Sequence, residues 1–157
     1  MLEGSVCFVA ILGETTVTDI RIRDFVLADA DAVRSLWVAA GLNPSRSDTY
    51  EAMAKVATRN PGLALVAEDE KGQLLGTVNG ADDGRRGWVY RLAVHPVARK
   101  AGLGRRLIKE LEVRLRARGC EKLNLLVERD NPDAIAFWRR LGYLDDDVAF
   151  LGKWLDA

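Results

Sequence analysis

The sequence predicts a fold of the α/β (α+β) class, in which a mixed, mostly antiparallel sheet is flanked by helices. Three apolar segments, 63–68, 74–79 and 88–94, are separated by short turn-forming runs, and this spacing predicts an antiparallel meander of three strands. Amphipathic helical patterns lie on either side of the meander. Because the chain has 157 residues, 48% of them apolar, it can bury one core and is too short to argue for two domains.

One strand and two helices are predicted before the meander. Residues 20–23 alternate apolar and charged side chains, which is typical of a half-buried strand. A helix that ends at Gly41 is expected next, since glycine is a frequent stop. A second helix is expected over 48–59, because Asp48 and Glu51 have the spacing of a capping box.

Two helices and two strands are predicted after the meander. The helices are expected over 104–118 and 133–141, each followed directly by a glycine. The strands are expected over 122–127 and 148–154. No repeat or low-complexity linker interrupts this order.

Residues 1–18 are expected to be an extension of unknown role, and residues 19–157 the single domain. The apolar run 6–12 has no basic residue before it, unlike a secretory signal peptide. It is also far shorter than the roughly 20 apolar residues that a membrane span requires. No membrane association is therefore expected.

The charges of the chain are balanced, with 23 Lys plus Arg and 23 Asp plus Glu. This balance predicts no general attraction to nucleic acid or to an anionic membrane. Cys7 and Cys120 lie far apart without metal-ligand spacing, so neither a disulfide framework nor a metal site is expected. A cytoplasmic setting is the default interpretation, and the oligomeric state stays open, a homodimer included.

A glycine loop, residues 99–104, connects the strand at 88–94 to the helix that follows it. Gly102 and Gly104 carry no Cβ atom, so a phosphate can approach the backbone, where N–H groups of the first helical turn point at it. The positive side chains around the loop are Arg99, Lys100, Arg105 and Arg106. The loop lacks the ending of a nucleotide P-loop and the third glycine of a dinucleotide fingerprint, which favours another pyrophosphate. The alternative is a tight turn without a ligand.

The loop and a later segment together resemble the GCN5-related N-acetyltransferase (GNAT) family. The family motif is Arg/Gln-x-x-Gly-x-Gly/Ala between its fourth strand and third helix, and Arg99, Gly102 and Gly104 match it. Residues 131–143 match the later Asn-x-x-Ala-x-x-Phe-Tyr-x-x-x-Gly-Phe region. The resemblance covers about residues 19–155 and implies a sheet that is splayed between its fourth and fifth strands.

The resemblance implies that acetyl-coenzyme A is the cosubstrate and that a primary amine, on a small molecule or a peptide, is the acceptor. The cofactor-binding positions that it implies are Leu92, Ala93, Val94, Arg99, Lys100, Ala101, Gly102, Leu103, Gly104, Arg105, Asn131 and Trp138. It also implies that the N–H of Val94 stabilises the oxyanion formed on the thioester carbonyl. For Asn131 the alternative role is the N-cap of the helix that follows.

The side chains that serve as acid and base in many relatives are absent. Trp138 stands where many relatives carry a Tyr that returns a proton to the thiolate, and its indole cannot act as an acid. Trp88 and Leu126 stand where other relatives place a Glu base. Tyr90 and Glu128 are the remaining catalytic candidates, against the alternatives of a wall aromatic and a solvated charge.

Two functions follow from this resemblance, namely N-acetyl transfer or a coenzyme-A-responsive regulatory module without efficient turnover. The family forms its acceptor surface from the first two helices and the hairpin loops, here 37–50 and 82–86. Asp82 and Asp83 are compatible with a cationic acceptor. A third interpretation, nucleic-acid binding by the Arg-rich helix, is disfavoured by the balanced charge.

Several other residues have structural interpretations. Lys100 replaces a glycine that is common in the family, which adds charge and makes a positive φ unfavourable there, so the loop is expected to be reshaped slightly. His95, the single histidine, is expected in a turn. Cys120 is expected to be a small core residue. The tryptophans expected in the core are Trp37, Trp138 and Trp154.

Overall fold

A computed structural model describes residues 19–155, and the expected extension 1–18 lies outside this range. The strands are β1 (Arg21–Asp24), β2 (Ala64–Glu68), β3 (Leu74–Asp82), β4 (Gly87–Val94) and β5 (Leu123–Leu125). The helices are α1 (Ala30–Ala39), α2 (Tyr50–Arg59), α3 (Leu103–Ala117) and α4 (Pro132–Arg140). Short 3-10 turns precede α1 and separate β4 from α3.

Within the described residues the strands form one five-stranded sheet in the order β1-β2-β3-β4-β5. Strands β1 to β4 pair in antiparallel fashion with their sequence neighbours. Strand β5 pairs parallel with β4, because α3 returns the chain to the same end of the sheet. The predicted mixed, mostly antiparallel sheet flanked by helices is confirmed.

Each face of the sheet carries its own apolar core, since successive side chains of a strand point to opposite faces. In β2, Leu65 and Ala67 pack with residues of α3 and α4, whereas Val66 packs with α1 and α2. Leu107 and Leu111 of α3 are fully buried in the first of these cores. The sheet is thereby fixed between the two helix pairs.

Helix α3 lies close to β3 because two glycines of the strand leave room for it. A Cβ atom at Gly76 would lie 2.8 Å from Leu107 Cδ1, and one at Gly80 would lie 2.5 Å from Leu111 Cδ1. A side chain at either position would push the helix away from the sheet. This close contact keeps the N-terminus of α3 beside the end of β4.

Helix α2 begins later than the capping-box spacing predicts. Thr49 is its N-cap residue, and the Thr49 hydroxyl accepts from the N–H of Ala52 at 3.2 Å. Asp48 does not cap the helix, because its carboxylate is bound by Ser45 and Arg91. A tertiary contact has therefore displaced a local one.

The predicted final strand at 148–154 is wrong, since this segment forms no strand. Strand β5 spans Leu123–Leu125 instead of 122–127 and pairs with β4 at three positions. Strands are stabilised by ladder partners, and the apolar alternation of 148–154 has none in the described chain. Trp154 is 60% exposed, contrary to the expected core position, and its ring lies 3.4 Å from the Arg46 guanidinium.

The other expected core positions are confirmed, with Trp37, Trp138 and Cys120 buried. A cavity of about 40 Å³ beneath α2 is lined by Trp37 and Asp48 but by no residue of the glycine loop 99–104. Between residues 19 and 155, no helix is long and apolar enough to cross a bilayer. In the same range no group of three His, Cys, Asp or Glu side chains is placed to hold a metal ion.

Candidate functional site

A β-bulge interrupts β4 shortly before the glycine loop. The pairing with β3 shifts by one residue between Tyr90 and Ala93. Arg91 has a φ of 50° there, which is uncommon for a residue with a Cβ atom. A bulge bends its strand and re-aims the backbone that follows, here residues 92–94.

The sheet opens between β4 and β5, as the resemblance implied. Their parallel pairing ends at Val89 and Leu125, whereas β4 continues to Val94. Among the described residues this last stretch of β4 has no ladder partner on the β5 side. A free strand edge can take up an extended ligand as an added strand.

The backbone of Val94 faces this opening. The next residue, His95, donates its N–H to the Leu75 carbonyl at 2.9 Å on the β3 side. Since consecutive residues of a strand direct their N–H groups to opposite edges, the N–H of Val94 points to the β5 side. Its carbonyl accepts from Nε of Arg99 at 3.2 Å, and its N–H stays available to a ligand.

The glycine loop forms a cradle of backbone N–H groups at the N-terminus of α3. Gly102 is the N-cap residue and has a φ of 78°. The N–H of Arg106 donates to the Gly102 carbonyl at 3.0 Å, and within the described chain the N–H groups of 100–105 have no backbone acceptor. The N–H of Arg99 is not among them, because it donates to the Pro96 carbonyl at 3.3 Å. Consecutive free donors at the positive end of a helix suit a phosphate group.

Lys100 adopts a positive φ of 63°, the conformation that the sequence indicates to be unfavourable for a residue with a side chain. A left-handed conformation costs a non-glycine residue roughly 1–2 kcal/mol. The neighbouring Arg99 anchors the loop, since its guanidinium donates to the carbonyls of Val94 and, at 2.9 Å, of Ala40. Tertiary anchoring therefore overrides the local backbone preference of Lys100.

The basic side chains around the loop separate into two pairs. Arg99 is bound to backbone carbonyls, and so is Arg106, whose Nη2 donates to the Ile20 carbonyl at 2.8 Å. Lys100 and Arg105 are exposed beside the cradle. Within the described residues, Lys100 and Arg105 make no such bond, whereas all four positive charges stay close to the loop.

Gly104 brings the cradle against two other elements. A Cβ atom there would lie 3.4 Å from Phe137 Cζ of α4 and 3.6 Å from Val94 Cγ2 of β4. Trp138 is 9% exposed and packs edge-on between Phe137 and Tyr143, at centroid distances of 5.2 and 5.0 Å. The indole of Trp138 is thus part of the core, and its predicted contact with the cofactor stays a prediction.

Two residues near the opening cap helical turns. The side-chain oxygen of Asn131 accepts from the N–H of Ala134 at 3.0 Å, which confirms the capping role at the start of α4. The Asn131 amide nitrogen is not used by this bond. Nδ1 of His95 accepts from the N–H of Val97 at 3.4 Å, in keeping with the expected turn role.

Tyr90 and Trp88 form a parallel aromatic pair on one face of β4. Their ring centroids are 6.3 Å apart with an interplanar angle of 13°. Nε1 of Trp88 donates to Asp83 Oδ2 at 2.9 Å. This bond, with the N–H groups of Arg86 and Arg85, lowers the pKa of Asp83 to about 2. Asp83 is therefore a fixed negative charge beside the aromatic pair.

The two catalytic candidates differ in what they can do with a proton. Burial, and next the charge of Asp83, raise the pKa of Tyr90 above its usual value of 10.0. The Tyr90 phenol is consequently protonated at neutral pH and can donate a proton but not accept one. Glu128 is exposed in the turn before α4, where its carbonyl accepts from the N–H of Asn131 at 3.0 Å.

The sequence patterns do not point to Arg91, although its side chain makes three contacts beside the bulge. Its guanidinium bonds the Asp48 carboxylate and donates to the Asn43 carbonyl at 3.3 Å. It also lies 5.3 Å from the ring centroid of Trp37. The available signal was an arginine within an apolar strand, where a charge requires a partner.

Comparison with known proteins identifies the family. The model of the acetyltransferase (GNAT) family matches residues 30–143. The chain belongs to the GNAT family. An acetyltransferase of Yersinia enterocolitica is 39% identical over 133 residues, which cover 85% of this chain and 94% of the relative. An acetyltransferase of Pectobacterium atrosepticum matches with the same identity and coverage, and the protein is accordingly a GNAT acetyltransferase.

Solved GNAT structures share the fold at low sequence identity. The PaiA N-acetyltransferase of Thermoplasma acidophilum, solved in complex with coenzyme A, has a TM-score of 0.73 and 19% identity, covering 83% of this chain and 93% of its own. Ard1 from Thermoplasma volcanium has a TM-score of 0.72 and 21% identity, covering 80% and 82%. At these identities the likeness shows the GNAT fold alone.

Proposed function

We propose that this GNAT protein transfers an acetyl group from acetyl-coenzyme A to a primary amine. The observation that carries the proposal is the run of N–H groups at 100–105, which have no acceptor in the described chain and open beside the free edge of β4. An acyl carrier with a diphosphate and an extended arm fits both features. A nucleotide without such an arm would leave the strand edge unused.

The diphosphate of the carrier binds the cradle through backbone donors. The N–H groups of 100–105 point at it, and the dipole of α3 adds a favourable field within the first turn. Lys100 and Arg105 contribute charge from the rim. Arg99 acts indirectly, because its guanidinium holds the carbonyls of Val94 and Ala40.

The pantetheine arm lies along β4 and pairs with the backbone of 92–94. The bulge at Arg91 directs this backbone into the opening. Asn131 can serve the arm as well as the helix, since its oxygen caps α4 and its amide nitrogen stays free to donate. The two alternatives for Asn131 are therefore compatible.

Transfer proceeds by direct attack of the neutral amine on the thioester carbonyl. A C–N bond forms and the C–S bond breaks, while the nitrogen loses one proton and the leaving thiolate gains one. The N–H of Val94 stabilises the negative charge that develops on the carbonyl oxygen. Loss of one such donor typically costs about 100- to 1,000-fold in rate, so the backbone carries much of the catalysis.

Tyr90 is the proton donor in this proposal, because its phenol carries a proton at neutral pH. Glu128, exposed before α4, is the candidate that takes the proton from the amine. A thiol such as that of coenzyme A has a pKa of about 8.5, so its thiolate is a good leaving group. Water can protonate the thiolate, and turnover does not depend wholly on Tyr90.

A coenzyme-A-responsive regulatory module is the second candidate, and one observation favours it. Trp138 occupies the position of the usual acid, and its indole is buried beside Phe137 and Tyr143. No proton can be returned to the thiolate from there. The two candidates share cofactor binding and differ in turnover.

Calorimetry and a thiol-release assay separate these outcomes. Acetyl-coenzyme A is titrated into the protein, and release of free thiol is then followed across a panel of primary amines. Binding with amine-dependent release supports transfer, and binding without release supports the regulatory module. Absence of binding at millimolar acetyl-coenzyme A would contradict both.

The cradle itself is tested by Gly102→Val. This residue has a φ of +78° and open space around its Cβ position, so the new side chain covers the cradle without entering the core. We expect acetyl-coenzyme A to bind at least tenfold more weakly. Gly119→Val is the matched control, because Gly119 follows the other end of α3 with a φ of +85° and equally open space. Equal losses of affinity in the two variants would contradict the proposal that the diphosphate binds at the glycine loop.

A further inference from the structure

Arg91 connects the two sides of the proposed reaction site. It lies in the bulge of β4, directly before the backbone 92–94 that we assign to the acyl carrier. Its guanidinium reaches the segment between α1 and α2, where it bonds Asp48 and Asn43. We call this segment, residues 40–49, the acceptor-side loop, since the family resemblance places the acceptor there.

Asp48 organises the acceptor-side loop. Its carboxylate accepts from the N–H and the hydroxyl of Ser45 at 2.7 and 2.8 Å. Its backbone carbonyl accepts from the guanidinium of Arg34 in α1. With the Arg91 contact, these bonds tie Asp48 to Ser45 within the loop, to Arg34 of α1 and to Arg91 of β4.

The Arg91–Asp48 ion pair is largely shielded from water. The two side chains are 25% and 13% exposed, and the ring of Trp37, itself buried, lies against the guanidinium. Salt screens a pair at this depth less than a pair on the surface. Removal of either partner leaves the other charge partly buried without its counter-ion.

The bulge requires such an external restraint. A left-handed φ is unfavourable for arginine and persists only where the surroundings hold it. The contacts of Arg91 with Asp48 and Asn43 supply that restraint from the acceptor-side loop. The conformations of the bulge and of the loop are therefore mutually dependent.

We propose that Arg91 and Asp48 are positioning residues that couple binding of the acyl carrier to the order of the acceptor-side loop, an inference that rests on the proposed function. The carrier orders the backbone 92–94, the bulge then fixes Arg91, and Arg91 fixes Asp48. Because coupling between two sites is reciprocal, an ordered acceptor-side loop also strengthens carrier binding. The acceptor amine therefore binds to an acceptor-side loop that is already ordered once the acyl carrier is bound.

Two variants test the pair, and a third provides a matched control. Arg91→Met and Asp48→Asn each remove the charge of one partner. Arg23→Met removes ion pairs of similar exposure elsewhere, because the Arg23 side chain is 24% exposed and pairs with Asp29 and Glu68 beside β1. A general loss of stability affects all three variants, whereas a loss of coupling affects only the first two.

Hydrogen exchange of the amides in the acceptor-side loop is the first measurement. In the wild-type protein, saturating acetyl-coenzyme A is expected to slow this exchange at least fivefold. Arg91→Met and Asp48→Asn lose the protection, and Arg23→Met keeps it. The coupling is overturned if protection survives in both pair variants, or if it is absent from wild-type protein that calorimetry shows to be loaded.

Steady-state kinetics with an amine that supports thiol release provide the second measurement. Each pair variant is expected to raise KM for the amine about tenfold and to change kcat less than twofold. The double variant shows no further rise, because both residues act through one interaction. If the increases in KM of the two single variants add up in the double variant, the coupling is wrong but the proposed function stands. If the protein binds no acetyl-coenzyme A, the proposed function itself is wrong.

Discussion

At the scale of single residues, Lys100 shows a backbone preference that the loop overrides. Its φ of 63° is one that glycine adopts without strain. We expect Lys100→Gly to raise the free energy of unfolding by about 1 kcal/mol, measured by urea denaturation. Affinity for acetyl-coenzyme A falls several-fold in the same variant, because one of the two rim charges is lost.

Lys100→Ala separates these two effects. Alanine removes the charge but keeps a Cβ atom in the left-handed conformation, so affinity falls without a gain in stability. If Lys100→Ala were as stable as Lys100→Gly, the strain at this position would be negligible.

Asp83 provides a residue-scale prediction about pH. The Trp88 indole is the first cause of its low pKa of about 2, against an ordinary value of 3.8. Trp88→Phe removes this donor and destabilises the carboxylate, so the pKa of Asp83 is expected to rise towards 3.8, as followed by NMR titration. Because the folded-state pKa is lowered, the stabilisation from Asp83 is present above the unfolded-state pKa and lost as pH falls towards 2.

The variant Arg85→Gln serves as the control for this titration. It keeps the Arg85 N–H that donates to the Asp83 carboxylate and removes only a side-chain charge, the last of the causes that lower the pKa. A larger rise in Arg85→Gln than in Trp88→Phe would show that charge, and not the indole bond, holds the carboxylate.

At the scale of elements, the start of α4 combines a helix cap with a proposed ligand contact. Asn131→Ala removes the cap and is expected to cost about 1 kcal/mol of stability. Asn131→Asp keeps a capping oxygen but replaces the free amide nitrogen with a carboxylate oxygen. We expect Asn131→Asp to be as stable as wild type and to bind acetyl-coenzyme A several-fold more weakly, measured by thermal unfolding and calorimetry. Unchanged affinity in Asn131→Asp would leave Asn131 with the capping role alone.

Helices and strands can be predicted where they depend on a local sequence pattern, and cannot be predicted where they depend on contacts with a distant part of the chain. The meander strands and the helices have periodicities that their own residues specify, and they form at the predicted places with ends that differ by a few residues. The segment 148–154 has a similar alternation, but no ladder in the described chain supports it. Asp48 has the spacing of a cap, yet Arg91, 43 residues away in sequence, binds its carboxylate.

At the scale of the whole molecule, the cradle could be predicted and the partners of its side chains could not. The position of the loop after a strand and before a helix is visible in the sequence, and so are its glycines. The bonds of Arg99 and Arg106 reach carbonyls 59 and 86 residues away. Such contacts arise only when the layers of the fold meet, as does the bulge that re-aims β4.

The two carbonyl bonds of Arg99 bear on which substitutions the glycine loop tolerates. The planar guanidinium offers several donors in fixed directions, and it spans the end of α1 and the end of β4. An ammonium group carries its donors on one nitrogen and cannot reproduce that fork. Lysine, though equally positive, is thus a poor replacement here, because the requirement is for shape and not for charge.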